Sequence, residues 1–328
     1  MDHKAPATRF SVAPMMDWTD RHCRVFHRQF TRHALLYTEM VTAPALIHGD
    51  RDRLLAGDPV EASCALQLGG SVPAELAEAV KIAAPRGYDE INLNVGCPSD
   101  RVQSGCFGAV LMKSPALVAD CVKAMQDAAP GGPEITVKCR IGVDEQDPEE
   151  ALPTFLDAMQ NAGVRRVTVH ARKAWLEGLS PKDNRTIPPL DYPLVHAMKR
   201  RFDLQIFLNG GLTSPEHGLE EMGDLDGVML GRAAYHEPAG LGRVDRLYFG
   251  AARDVTGEEA VRAMLPYIEA ELTKGERLNR ITRHMLGAFQ GRPGARGWRR
   301  MLSEGAHQDG AGPDLVEAAL ARVTDLAA

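Results

Sequence analysis

Apolar and polar residues alternate in eight short stretches of this chain: 9–16, 35–41, 64–70, 90–95, 134–141, 166–171, 205–210 and 227–231. Period-two alternation of this kind predicts strands. Between them, 73–84, 114–128, 148–162 and 193–202 carry apolar residues at helical spacing. Several of these begin with proline in the first turn, where its missing N–H costs nothing. Strand–helix alternation predicts a parallel sheet, and eight repeats predict closure into a (β/α)8 TIM barrel. An open doubly wound sheet is the alternative, but no early strand is followed by a Gly-x-Gly-x-x-Gly turn. Past Gly242 the pattern turns helical, with Gly- and Pro-containing breaks near 291–294 and 311–313. The expected organisation is a barrel over 1–242 and a small all-helical domain over 243–328.

Composition adds bounds. At 328 residues, 44% hydrophobic and 25% charged, the chain has enough apolar material for a large core. No apolar run approaches the roughly 20 residues that span a bilayer, and the N-terminus lacks a secretory h-region, so a cytoplasmic protein is expected. The six cysteines (Cys23, Cys64, Cys97, Cys106, Cys121, Cys139) form no Cys-x-x-Cys pair and lack histidines at ligand spacing. No metal site is therefore expected, and the thiols should be reduced. Cys64, Cys121 and Cys139 fall inside predicted elements and read as packing residues. Net charge is −6, yet 274–300 holds eight basic side chains against one acidic, leaving −13 for the rest. Polyanion binding, if any, would be local.

In a βα barrel, chemistry gathers where the strands' C-terminal ends meet. There the sequence places Pro14, Met15 and Met16, then Glu39, Gln67, Asn94 with Cys97, and Lys138 with Arg140. His170 with Arg172, Asn209-Gly210-Gly211 and Gly231-Arg232 complete the set. Singly, Gln67 could be a surface amide and His170 a core histidine; together, so many polar groups would be costly without a common purpose. Glycines after strands seven and eight let backbone N–H groups approach an anion, and Arg232 adds a bidentate fork, so a phosphate-bearing ligand is implied. Lys138 could form a Schiff base or stabilise negative charge on a ring.

The segments Ala13-Pro14-Met15-Met16-Asp17-Trp18-Thr19-Asp20, Gln67-Leu68-Gly69-Gly70 and Asn92-Leu93-Asn94-Val95-Gly96-Cys97-Pro98 resemble the tRNA-dihydrouridine synthases. So do Val137-Lys138, Arg140-Ile141-Gly142, Val169-His170-Ala171-Arg172, Asn209-Gly210-Gly211 and Gly231-Arg232, in family order across nearly the whole barrel. The stretch 170–192, with Arg283-His284-Met285-Leu286-Gly287 and Trp298-Arg299-Arg300, is similar to the branch acting at D-loop positions 20 and 20a.

The resemblance implies bound FMN, NADPH as reductant, tRNA as substrate and a helical tRNA-binding domain after the barrel. Carried over by position, Pro14, Met15, Met16, Gln67, Lys138, His170, Asn209, Gly210, Gly211, Gly231 and Arg232 would hold FMN. Cys97 would be the proton donor. Asn94, Lys182, Arg185, Arg296, Arg299 and Arg300 would contact tRNA. A monomer without a protein partner is expected.

Uracil's C5=C6 bond is conjugated to the C4 carbonyl, so hydride enters at C6 and a proton must reach C5. An ordinary thiol, with a pKa of about 8.5, is mostly protonated at neutral pH, as an acid requires. Three other readings stay open on sequence. They are an FMN barrel acting on a free small molecule, a Schiff-base aldolase using Lys138, and a non-catalytic tRNA-binding factor.

Overall fold

The computed structural model describes residues 8–99 and 107–324; Cys106 lies outside them. Eight parallel strands close a barrel in chain order. They are β1 (Phe10–Val12), β2 (Leu35–Thr42), β3 (Cys64–Gly69), β4 (Glu90–Val95), β5 (Glu134–Arg140), β6 (Arg166–His170), β7 (Gln205–Asn209) and β8 (Gly227–Leu230). The seam pairs Phe10 with Val228 and Val12 with Leu230. Helices over Pro73–Ala83, Pro115–Ala128, Pro148–Asn161 and Tyr192–Arg201 follow the predicted spans within a residue or so.

Alternation decides which side chains meet the helices and which fill the barrel. On β4, Ile91, Leu93 and Val95 face the helices and are fully buried. Each such residue contributes about 1.5–3 kcal/mol by leaving water. Glu90, Asn92 and Asn94 alternate with them. Cys139 joins the outer apolar core, on the opposite face from Lys138. Inside the barrel, Ala13, Leu35, Tyr37, Ala65 and Met229 form a separate apolar cluster.

The first strand is shorter than its sequence pattern. Ala13 N–H still reaches Leu230 O at 2.7 Å, but Pro14 has no N–H to continue the ladder. The chain then turns, with Trp18 and Thr19 N–H on Met15 O and Asp17 at φ 64°. Pro14, Met15 and Met16 therefore sit on a loop over the barrel mouth rather than in the sheet.

From Val244 onward the described residues form helices, including Leu265–Thr273, Leu278–Thr282, Ala295–Gly305 and Pro313–Thr324. Their core is centred on fully buried Trp298, which donates to Met285 O at 3.1 Å and packs edge-on against Phe289. This layer meets the barrel along helix Arg21–Phe30. Asp20 binds Arg283 at 2.7 Å and His284 at 3.0 Å, and His22 binds the Tyr267 hydroxyl at 2.7 Å. Glu271, Glu276 and His22 converge there, with Arg21 bonding both carboxylates (2.7 and 3.2 Å) and Lys274 adding a contact to Glu271 at 2.7 Å. Gly287 allows a close approach: a Cβ there would lie 2.3 Å from His236 O. Among the described residues, no helix is long and apolar enough to cross a membrane.

Candidate active site at the barrel mouth

Cys97 sits on the loop after β4, half-buried, with its thiol 3.6 Å from Ser99 Oγ. That loop is held from below. Asn94 Oδ1 accepts the backbone N–H groups of Gly96 (3.0 Å) and Cys97 (2.9 Å), and Arg140 Nε donates to Gly96 O at 3.1 Å. The Cys97 carbonyl in turn accepts Ala109 N–H at 2.9 Å. A thiol on a loop anchored at four backbone atoms is held in place against the mouth.

Beside it stands a group of cations. Lys138 follows Asn94 across the β4–β5 ladder, and among the described residues no carboxylate lies within ion-pair distance of it. Burial lowers its ammonium to about 8, with Arg140 adding repulsion. Burial likewise brings Arg140 down to about 10. His170 is pushed well below its ordinary range by burial, and then by Arg140, Lys138, Arg172 and Arg185, so its ring is neutral. Arg232 Nη2 donates to Arg185 O at 3.2 Å, bringing these two arginines together at the rim.

Two buried atoms here have no hydrogen-bond partner among the described residues, Nδ1 of His170 and Nε of Arg172. Unpaired buried polar atoms are costly, and both lie among cations with no acid bonded to them among the described residues. Next to them the backbone is open. Gly210 takes φ 102° and a Cβ there would lie 3.0 Å from the His170 ring, while Gly211 takes φ 73° beneath Leu190 and Tyr192. Both conformations favour glycine. The Tyr192 hydroxyl fixes Gly210 O at 2.6 Å, and Asn209 Nδ2 reaches Met229 O at 2.6 Å. At Gly231 a Cβ would lie 3.9 Å from Met15 sulfur, which places the β1 loop against the end of β8. Unpaired nitrogens, a cluster of cations and a glycine-lined wall fit a flat, phosphate-bearing anion.

The structure brings Met15, Gln67, Asn94, Cys97, Lys138, His170, Asn209, Gly210, Gly211, Gly231 and Arg232 to one end of the barrel. Met16 is on the same loop and exposed, and Pro14 is half-buried. Lys182 precedes and Arg185 ends the turn Asp183–Arg185 after β6, and both are exposed. Arg296, Arg299 and Arg300 lie apart, exposed on helix Ala295–Gly305.

The basic segment 274–300 is less free than its sequence implies. Lys274 pairs with Glu271, Arg280 with Glu276, Arg283 with Asp20, and Arg292 with Glu258. Three of those four acids come from outside the segment, so linear counting missed them. Among the described residues the Arg299 side chain bonds the neutral Gln290, and the guanidinium groups of Arg277, Arg296 and Arg300 have no acidic partner.

Sequence reading also missed two organisers. Fully buried Asn184 brackets Trp175, accepting its N–H at 2.7 Å and donating to its carbonyl at 2.8 Å, and its own carbonyl accepts Arg140 at 2.9 Å. It ties the loop after β6 to the mouth; nothing in its local sequence signals this. The second is the polar interior of β4 and β5, where Glu90, Asn92 and Thr136 support Gln67 and Asn94. The polar residues at 90, 92 and 94, all on one face of a strand, were the available signal.

Comparison with known proteins gives a consistent picture. The sequence pattern of the family described as "Dihydrouridine synthase (Dus)" matches residues 11–324. The chain is 56% identical to the tRNA-dihydrouridine(20/20a) synthase of Shewanella oneidensis, covering 100% of this chain and 98% of that one. It is 57% identical to the protein of that name from Salmonella typhi, over 98% of this chain and 96% of the relative. The Escherichia coli K12 protein of that name is also 57% identical, over 97% and 92%.

Proposed function

This chain belongs to the dihydrouridine synthase family, and from that premise we propose that it reduces uridines 20 and 20a of the tRNA D-loop to 5,6-dihydrouridine. In this reading FMN binds in the barrel mouth and NADPH is the reductant. The barrel over 1–242 is catalytic, and the helical segment over 243–328 binds tRNA. The observation that carries it is the Cys97 loop, anchored by Asn94 and Arg140 beside a cluster of cations, with unpaired nitrogens at His170 and Arg172 among the described residues.

FMN, when bound, supplies the hydride that enters uracil at C6. Gln67, Lys138, His170 and the loop Pro14–Met16 would hold its ring system; Asn209, Gly210, Gly211, Gly231 and Arg232 would hold its phosphate end. Lys138 offsets negative charge in a pocket where burial strengthens every electrostatic contact. Neutral His170 offers a ring nitrogen without adding another charge. Cys97 Sγ delivers the proton to C5, and the thiolate left behind faces Arg140 until solvent reprotonates it.

A uridine inside folded tRNA must leave its stack to reach a barrel mouth. Lys182, Arg185, Arg296, Arg299 and Arg300 would meet phosphates, which position the RNA by shape more than by base identity. The test is turnover of D-loop-unmodified tRNA with NADPH, mapped by mass spectrometry of nuclease fragments. A two-hydrogen gain at positions 20 and 20a is expected. Reduction of a free pyrimidine with untouched tRNA would overturn the proposal in favour of a small-molecule oxidoreductase.

A further inference from the structure

The polar side chains inside the barrel form one directed chain. Gln67 faces Asn92 across β3 and β4, and Asn92 faces Thr136 across β4 and β5. Asn94 Nδ2 donates to Gln67 Oε1, Gln67 Nε2 to Asn92 Oδ1, and Asn92 Nδ2 to Thr136 Oγ1, each at 2.8 Å. Thr136 Oγ1 then donates to Glu90 Oε1 at 2.5 Å. All five residues are buried.

Both ends dictate which way each amide points. At the mouth, the N–H groups of Gly96 and Cys97 only donate, so Asn94 must present its oxygen to them. At the floor, Glu90 receives Arg166 at 2.7 Å together with the hydroxyls of Tyr37 and Thr136, and acts purely as acceptor. Thr136 therefore spends its single hydrogen on Glu90 and accepts from Asn92, which fixes Asn92, then Gln67, then Asn94. With its oxygen spent on two N–H groups, Asn94 has one amide hydrogen left, a donor suited to a carbonyl oxygen.

We propose that Thr136 and Glu90, on the barrel floor, are positioning residues for the reduction at its mouth: they set the direction of the Asn92–Gln67–Asn94 amide chain. The chain in turn holds the Cys97 loop and keeps Asn94 a donor toward the substrate base. This rests on the reading of Cys97 as proton donor. A reversed Asn94 would set its NH2 group against two backbone N–H groups and loosen the loop.

The test compares Thr136→Val, similar in shape but without the hydroxyl, with Thr136→Ser. Two half-reactions are timed separately: flavin reduction by NADPH, and single-turnover transfer from the reduced enzyme to tRNA. T136V should reduce flavin within about twofold of wild type and transfer to tRNA roughly tenfold more slowly, the effect of one well-placed hydrogen bond. T136S should recover most of the transfer rate. Without tRNA, the side-chain amide protons of Gln67 and Asn92 should exchange with solvent faster in T136V, by nuclear magnetic resonance. Unchanged transfer, equal slowing of both half-reactions, or failure of T136S to recover would each overturn the proposal. Should T136V not fold, Glu90→Gln, which offers Thr136 either an oxygen or an amide, should give the same selective slowing, and wild-type transfer would overturn it. A wild-type enzyme that reduces its flavin but never tRNA would instead refute the underlying reading of the site.

Discussion

Replacing Lys138 with methionine should stabilise the flavin-free protein while ending its catalysis. The fold holds this ammonium where charge is disfavoured, with no carboxylate nearby among the described residues, and lowers it from 10.5 to about 8. The unfolded chain keeps its proton up to the ordinary value; the folded side chain releases it near 8. Below pH 8 both states carry the charge and the penalty is full. Between 8 and 10.5 the unfolded state binds more protons, so wild-type stability gains with rising pH. At about 1.36 kcal/mol per pH unit the upper bound is roughly 3 kcal/mol, and partial solvent access reduces the expected gain to about 2 kcal/mol at pH 7. Methionine keeps the length and flexibility of the stem, which limits packing changes. Urea unfolding of the flavin-free proteins, followed by circular dichroism at pH 7 and pH 10, reads both parts. K138M should be the more stable at pH 7, with the gap largely closed at pH 10, and should fail to modify tRNA. A variant no more stable at pH 7, or a gap indifferent to pH, would show that the buried ammonium carries no such penalty. A residue that costs stability where it serves catalysis is an ordinary compromise at active sites.

Two further outcomes separate the roles assigned here. Gly210→Ala forces a Cβ to 3.0 Å from the His170 ring at φ 102°, so flavin affinity should fall at least about tenfold in a fluorescence titration, with the barrel intact. Arg299→Ala should weaken tRNA binding and reduce the salt slope of the affinity by about one, while flavin reduction by NADPH stays unchanged. Arg292→Ala, whose guanidinium is already held by Glu258 at 2.6 Å, should move that slope less.

The barrel was legible because alternation, proline-started helices and glycine-ended strands all carried the same period, and local signals agreed with the global fold. Where the pattern overran, at 13–16, the cause was Pro14, which supports an extended backbone but cannot continue the ladder. The positions at the strand ends could be read from sequence because barrel geometry sends them to one mouth. Partnerships across distance could not. Asp20 neutralising Arg283 depends on how the helical layer docks on the barrel, and Glu258 holding Arg292 on how that layer folds on itself; no short linear window contains either. The Glu90–Arg166 pair at the barrel floor, 2.7 Å apart, joins residues separated by 76 positions. The buried tether of Asn184 likewise follows from a loop's tertiary path rather than from any local propensity.

The most direct test of Cys97 as the acid is single-turnover transfer from pre-reduced enzyme to D-loop-unmodified tRNA, wild type against Cys97→Ala. Flavin oxidation and dihydrouridine formation are followed together. C97A should bind flavin and accept electrons from NADPH normally, yet form dihydrouridine at least about a hundredfold more slowly, in line with the loss of a general acid. Dihydrouridine formed at the wild-type rate by C97A would contradict that role.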